Sequence, residues 1–411
     1  MFCPGGYFID SMRADRTILH CDLNGFYASV EALEHPEIGS KPMAVTGNVN
    51  NRHGVILAKN EAAKRIGITT GEPTARALAK CPNLILLDPH HEKYSRYSAL
   101  ANEIYAGFTD RVEPFGIDES WLDVSASKRL FGDGRAIADK LRKTIREKLK
   151  LTISVGVSFN KVFAKLASDY KKPDATTVFG RAEYDSIIRK LPVKDLLFAG
   201  PSTADTLAGM GISTIGQLAD ANDEAVFKAL GKAGLTLLSY ARGTDDSPVA
   251  YCGYEEPAKS IGNSTTFRRD LVGESDVGLG LKMVSEKVAR RLKEKSLKCR
   301  CVQLTVKGVD FSVLTRRTLL KTPSNSMREL EDSAMRLFKK SWPKGGPVRM
   351  LGISASALLP ANTPFQAELF DRPALEISAR KDRAECAFFD VRKKFGRDCI
   401  KFASLIDADL L

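Results

Sequence analysis

The 411-residue sequence lacks the features that mark several large protein classes. No stretch approaches the roughly 18 consecutive apolar residues of a membrane-spanning helix, and the opening MFCPGGYFIDSMRADR has no apolar signal core. The expectation is a cytoplasmic protein with no membrane partner, whose residues 1–15 form an extension. Eight cysteines, at 3, 21, 81, 252, 299, 301, 386 and 399, include no C-x-x-C pair, and there are only five histidines. That pattern argues against a zinc site and a disulfide framework. No G-x-x-x-x-G-K-[ST] occurs, so a bound triphosphate would not rest on a P-loop, and no G-x-S-x-G nucleophile elbow is present.

What the chain does carry is positive charge. The formal net charge is +12, which suits a polyanionic partner. Between Lys282 and Lys321 twelve Lys and Arg stand against three acids, Glu286, Glu294 and Asp310. A solvated helix face normally mixes signs, so this run reads as a phosphate-tracking surface.

Hydrophobic patterning divides the chain. Over the first 180 residues strand-like runs (RTILHCDL, LTISVGVS) alternate with helical ones (FYASVEALE, KNEAAKRIG, 92–108, 135–150, NKVFAKLASDYKK), an α/β region. Residues 181–245 read as short helices separated by Gly, with LFAGPSTADTLAGMGIST resembling a helix-hairpin-helix. Residues 246–260 are rich in linker residues, and an α+β module of about 100 residues follows. Residues 374–396 read as an amphipathic tail helix.

The chemistry rests on acids. Asp22 ends the first strand, and Asp118 and Glu119 stand side by side in FGIDESWLDV. Two like charges about 4 Å apart repel by roughly 4 kcal/mol at an effective dielectric near 20, so a basic group or a cation should face them. Acids at strand ends in a basic α/β protein suit hard divalent cations. Adjacent residues on an ideal strand point to opposite faces, so Asp118 and Glu119 can share a site only at a hairpin tip or irregular step. A salt-bridged surface pair is the other reading that spacing leaves open.

ILHCDLNGFYASVE, FGIDESWLDVS, SVGVSFNKVFAKLASDYKKPD and KSIGNSTTFRRDL, in this order, resemble the Y-family translesion DNA polymerases of the DNA polymerase IV branch, over about residues 16–370. The resemblance implies a right-hand polymerase: a palm (16–25 and 90–179), small fingers (26–89), a helical thumb (180–246), a linker (247–257), a little finger (258–361) and a tail (362–411). It implies error-prone addition of deoxynucleoside triphosphates to a primer on a DNA template, with two Mg²⁺ ions and no proofreading nuclease.

By the same resemblance Asp22, Asp118 and Glu119 are the metal carboxylates, the Leu23 carbonyl completes one metal shell, and Tyr27 is the steric gate against a 2′-hydroxyl. The amides of Phe26 and Tyr27 would hold phosphates, and Lys172, rather than Lys171, would reach the triphosphate. Lys161 and Lys165 read as helix-surface charges that touch DNA. The chain departs from the family pattern at Glu61, where a phosphate-binding tyrosine is usual, at Lys64 in place of arginine, and at Asn24 in place of an acid. Lys64 keeps the charge without the guanidinium fork. AGPS lacks the second glycine usual in the thumb hairpin. QAELF resembles the bacterial sliding-clamp peptide, with Gln366, Leu369 and Phe370 as anchors, and a monomer is expected. Two other classes, a DNA-binding module without chemistry and a nucleotidyl cyclase, share parts of this pattern; the first does not need all three acids and the second does not need the basic module.

Overall fold

The computed structural model describes residues 15–47, 54–342, 346–364, 372–396 and 399–405. The described residues up to Glu255 form one compact unit and those from Glu256 a second.

The first unit is built on a five-stranded sheet with strand order β5-β6-β1-β7-β8, where β1 is Ile18–Leu23, β5 Val112–Pro114, β6 Glu119–Asp123, β7 Ile153–Ser158 and β8 Thr176–Phe179. Both faces of the central β1 are covered, and all six of its residues are buried. Although strands alternate with helices along the chain, β1 pairs antiparallel with β6 and β7, and β7 runs parallel only to β8. The helix Gly134–Leu149 starts on Asp133, whose carboxylate accepts from the Ala136 amide at 2.8 Å, and it buries Ile137, Leu141 and Ile145 in the sheet core. A separate three-stranded sheet, β3-β2-β4, comprises β2 (Met43–Thr46), β3 (Ile56–Lys59) and β4 (Ile85–Leu87). The helix Glu61–Arg65 ends where expected, with Gly67 at φ +86° accepting the reversal that a side chain resists. Helices Pro201–Gly209, Ile215–Ala219 and Asp223–Ala241, the last broken at Gly231, form a further core around Leu207, Ile215 and Leu237.

The second unit is a four-stranded antiparallel sheet, β11-β10-β12-β9: β9 is Ser260–Leu271, β10 Leu297–Gly308, β11 Val313–Ser324 and β12 Val348–Pro360. Helices Gly273–Glu294 and Met327–Ser341 supply Leu281, Val288, Leu330 and Phe338 to its core.

The basic run divides in two. Its helical part is spent inside the unit: Arg290 pairs with Glu294 at 2.7 Å, Arg291 donates to the Gly262 carbonyl at 2.6 Å, and Lys293 lies 3.6 Å from Glu385. Its strand part is not, since Arg300, Arg316, Arg317 and Lys321 have no acidic partner among the described residues. Strand alternation places Arg317 and Lys321 on the face opposite buried Leu320.

The tail helix, Arg372–Phe395, is docked on the second unit. Ser326, the N-cap of helix Met327–Ser341, makes no side-chain cap of its own. Glu385 fills that role, accepting from the Ser326 hydroxyl at 2.9 Å and the Met327 amide at 3.0 Å. Arg392 pairs with Glu286, and Phe389 and Phe402 pack on the core. Glu385→Ala should therefore lower the unfolding free energy of this unit by about 1–2 kcal/mol, the loss of a helix cap and a half-buried ion pair. An unchanged urea midpoint would contradict the cap.

Candidate active site

The end of β1 sets the site. In the β1–β6 register Asp22 stands opposite Glu119. Asp118 lies one step outside β6, in the tip between β5 and β6, where its carbonyl accepts from the Leu23 amide at 3.0 Å and the Phe115 amide donates to the Glu119 carbonyl at 2.9 Å. The irregular step meets the condition under which neighbouring acids could share a site, because strand alternation does not apply at the tip. Burial and the charge of Glu119 raise Asp118 while Lys172 and Lys165 lower it, and Glu119 and Lys172 act likewise on Asp22, so the three acids share charged neighbours.

The basic side chains opposite come from helix Lys161–Tyr170 and the segment after it. Asn160 caps this helix, accepting from the Phe163 amide at 2.8 Å. Gly156 on β7 lets it approach the sheet: a Cβ there would lie 1.9 Å from the Ala164 carbonyl oxygen and 2.3 Å from the Ser168 amide nitrogen. Lys165 Nζ then reaches Glu119 Oε2 at 2.7 Å, and Lys172 Nζ reaches Asp22 Oδ2 at 2.6 Å and Asp169 Oδ1 at 2.5 Å. The reading of Lys161 and Lys165 as helix-surface charges is thus corrected. Lys161 is held by Glu113 at 2.6 Å over the Trp121 ring, and Lys165 is a neighbour of the carboxylates. Both are drawn inward because the helix face that approaches the sheet carries them toward acids on β5 and β6.

Behind Glu119 lies His20, fully buried on β1. Its Nε2 is 3.4 Å from Glu119 Oε2, its Nδ1 is 2.8 Å from Ser168 Oγ, and its ring meets Trp121 edge-on. Burial holds the imidazole below its ordinary pKa. Burial also pushes Asp22 up, to about 7 against the pull of Lys172, with nearby Glu119 adding to the rise. Burial pushes Glu119 up, but the bond from Lys165 and the nearby His20 outweigh it and hold Glu119 below its ordinary value.

Among the described residues no three His, Cys, Asp or Glu side chains are gathered at ligand spacing; Asp22 and Glu119 each give an oxygen to a lysine. The donor set still fits a hard divalent cation: it consists of carboxylate oxygens, and Asp22, raised first by burial and then by nearby Glu119, is an acid whose charged form a cation would favour. Without divalent ions, Asp22 should cost stability as pH rises from about 4 to about 7, because the folded chain holds that proton more tightly than the unfolded chain. Glu119 acts in the opposite sense, adding stability above about 4.5 that is lost as pH falls. Asp22→Asn should flatten the upper window in metal-free thermal melts near pH 5 and pH 8, and an unaltered difference between the two would contradict the assignment.

Around the other side of Asp22 the chain turns through Gly25, at φ +52°, into helix Phe26–Glu34, whose start has no side-chain cap. Phe26 is buried in the sheet core. Tyr27 is half-buried, and its ring stacks on Tyr94 at 4.0 Å and 13°, with His91 edge-on. Tyr94 donates from its hydroxyl to buried Glu31 at 2.5 Å, and Glu31 also meets His90 and Lys93. Asn24 is a strut, donating to Thr152 at 3.2 Å and accepting from Ser154 at 2.8 Å.

Sequence reasoning missed His20, Tyr94 and Glu31. His20 lies inside the apolar run RTILHCDL and Tyr94 in the polar stretch HHEKYSRY, neither of which marks a site, and only the spacing of Glu31, four residues after Tyr27 on one helix, hinted at a shared face. Lys64 lies 3.5 Å from Glu61, both half exposed, and no contact links it to the carboxylates among the described residues. Gln366, Leu369 and Phe370 lie outside the described residues.

Comparison with known proteins gives a consistent result. The family model described as the impB/mucB/samB family matches residues 21–169, and that of its C-terminal domain matches residues 258–369. A DNA polymerase IV of Acetivibrio thermocellus is 46% identical over 93% of this chain and 95% of its own. DNA polymerase IV 1 of Bacillus subtilis is 33% identical over 94% of this chain and 92% of its own. The structure of a chimeric Y-family DNA polymerase matches with a TM-score of 0.74 at 24% identity, covering 84% of this chain and 99% of that one, a likeness of fold. By sequence the chain belongs to the impB/mucB/samB family, alongside the DNA polymerase IV proteins, and it shares the fold of a Y-family DNA polymerase.

Proposed function

We propose that this chain is a template-directed, error-prone DNA polymerase of the translesion type, adding deoxynucleotides to a primer 3′ end, and that Asp22, Asp118 and Glu119 are its catalytic carboxylates. The observation that carries the assignment is the placement of Asp22 opposite Glu119 in the β1–β6 register, with Asp118 on the adjoining tip. Asp22, Asp118, Glu119 and the Leu23 carbonyl would hold two Mg²⁺ ions. When bound, those ions supply the charge that activates a primer hydroxyl and neutralises a triphosphate and its leaving group. The protein's own part is positional. Lys165 holds one oxygen of Glu119, with His20 Nε2 3.4 Å from the same oxygen, and Lys172 holds one oxygen of Asp22. Lys172, near Asp22, would supply a cationic donor for triphosphate oxygens. The uncapped amides of Phe26 and Tyr27 can take further phosphate oxygens, and the Tyr27 ring lies where the sugar edge is read.

The palm is assigned to 16–25 and 90–179, the fingers to 26–89, the thumb to 180–246, the linker to 247–257, the little finger to 258–361 and the tail to 362–411. The open sheet face with Arg317 and Lys321 suits backbone contact with primer-template DNA, a term that weakens with salt. Lys64 shares triphosphate binding with Lys172, Gln366, Leu369 and Phe370 bind the sliding clamp, and the protein acts as a cytoplasmic monomer. Deleting 366–370 should end stimulation of synthesis by a bacterial clamp; retained stimulation would put the contact elsewhere. Primer extension on intact and damaged templates, with and without Mg²⁺, tests the function itself. Metal-dependent extension across a lesion is expected, and no extension on either template would overturn it.

A further inference from the structure

Phe198 lies in the turn between the short 3-10 turn Val193–Asp195 and helix Pro201–Gly209. Its φ is +65°, in the left-handed region, where a bulky side chain is strained and glycine is the ordinary occupant. Burial does not offset that strain, because the side chain is 65% exposed. An apolar ring in solvent on a strained backbone has two costs, and the core of this unit gains little from it. Backbone strain of this kind persists where the surroundings or the function require it.

What the ring touches is specific. It meets Phe115 at 6.3 Å in a T-shaped pair and Tyr240 at 6.4 Å. Phe115 belongs to the tip that carries Asp118. Its amide donates to the Glu119 carbonyl at 2.9 Å, and its ring lies 4.4 Å from that of Trp121. Lys165 Nζ stands 5.6 Å from the centre of the Phe115 ring while holding Glu119 at 2.7 Å. A row of rings, Phe198, Phe115 and Trp121, therefore runs from the helical segment 181–242 to the strand pair bearing two of the three acids.

We propose that Phe198 is a positioning residue that couples this helical segment to the carboxylate-bearing tip, so that seating the segment on duplex DNA fixes Phe115 and, through it, Lys165 and Glu119. This rests on the proposed function, in which those acids are catalytic and the segment is the thumb. The ring is kept at a glycine-type position because the coupling needs an edge there.

The test uses the whole chain and a sign that unfolding cannot imitate. Glycine accepts φ +65° without strain, so Phe198→Gly should melt at the wild-type temperature or up to a few degrees above it. Its single-turnover rate of nucleotide addition, with primer-template saturating, should nevertheless fall by about three- to tenfold, the worth of one aromatic pair. The dissociation constant for DNA should stay within about twofold. Phe198→Tyr, which keeps the ring edge, should retain the wild-type rate, and Phe198→Gly should add nothing in a Phe115→Ala background. A wild-type rate in Phe198→Gly, a rate loss accompanied by a lower melting temperature, a weaker DNA complex at unchanged rate, or a slow Phe198→Tyr would each overturn the coupling. Failure of the wild type itself to extend a primer would instead overturn the function on which it rests.

Discussion

Replacing Asp118 by Ala is expected to lower primer extension by roughly 10³-fold or more while leaving primer-template binding largely intact. The magnitude follows from the loss of a group that holds charge-stabilising cations: several kcal/mol of transition-state stabilisation at about 1.36 kcal/mol per decade of rate. The sparing of DNA binding follows from position. Asp118 is a half-buried acid on the β5–β6 tip, and an anion there does not attract phosphate. Folding should survive, because what the tip receives from this residue is its carbonyl, which accepts from the Leu23 amide and which alanine retains. Burial raises the Asp118 carboxyl, so its removal also takes away a group that is costly to ionise. Steady-state extension and a fluorescence titration of labelled DNA separate the two effects. Unchanged extension would remove Asp118 from the chemistry, whereas a collapse of both would make it a folding residue.

The second large effect concerns the sugar. Tyr27→Ala should reduce discrimination against ribonucleotides by roughly tenfold to 200-fold, the range that steric rejection of one small group spans. The expectation depends on rigidity as much as on size, since a ring free to rotate could yield to a 2′-hydroxyl. Here the ring cannot easily yield: it is stacked flat on Tyr94, His91 closes one edge, and the Tyr94 hydroxyl is bound to buried Glu31. Tyr27→Phe keeps that stack and should keep the selectivity. Competition between a deoxynucleotide and its ribonucleotide, measured as the ratio of kcat/KM values, reads the effect directly. Equal ratios in wild type and Tyr27→Ala would place the gate in another residue.

Much of this was legible in the sequence, for identifiable reasons. The strand RTILHCDL and the helix that follows were predicted from apolar runs and periodicity, and Asp22 was singled out because an acid ends a buried strand. The doublet Asp118-Glu119 raised the demand for a positive partner, and the structure meets it with Lys165 on Glu119, while Lys172 pairs with Asp22. That Lys165 turns inward was hidden, because which face of a helix meets a sheet depends on close approach at Gly156, a tertiary fact. His20 and Tyr94 were hidden for a related reason: their partners, Ser168 at 148 residues' distance and Glu31 at 63, are not neighbours in the chain. The basic run from Lys282 to Lys321 was predicted as one surface. It splits because the helical half meets acids of the tail helix and carbonyls of β9, which no charge count along the sequence could foresee. At Phe198 local propensity and structure conflict, since the left-handed turn calls for glycine, and a conflict of that kind marks function more often than error in composition.

The central claim is that acids from distant parts of the chain act together on divalent cations at a primer terminus. Its most direct measurement is Mn²⁺ binding, followed by electron paramagnetic resonance, to the protein on primer-template with a non-hydrolysable deoxynucleoside triphosphate. Two bound ions per complex are expected in the wild type, with at least one lost in Asp118→Ala and in Asp22→Asn. Equal Mn²⁺ occupancy in the wild type and both variants would contradict it.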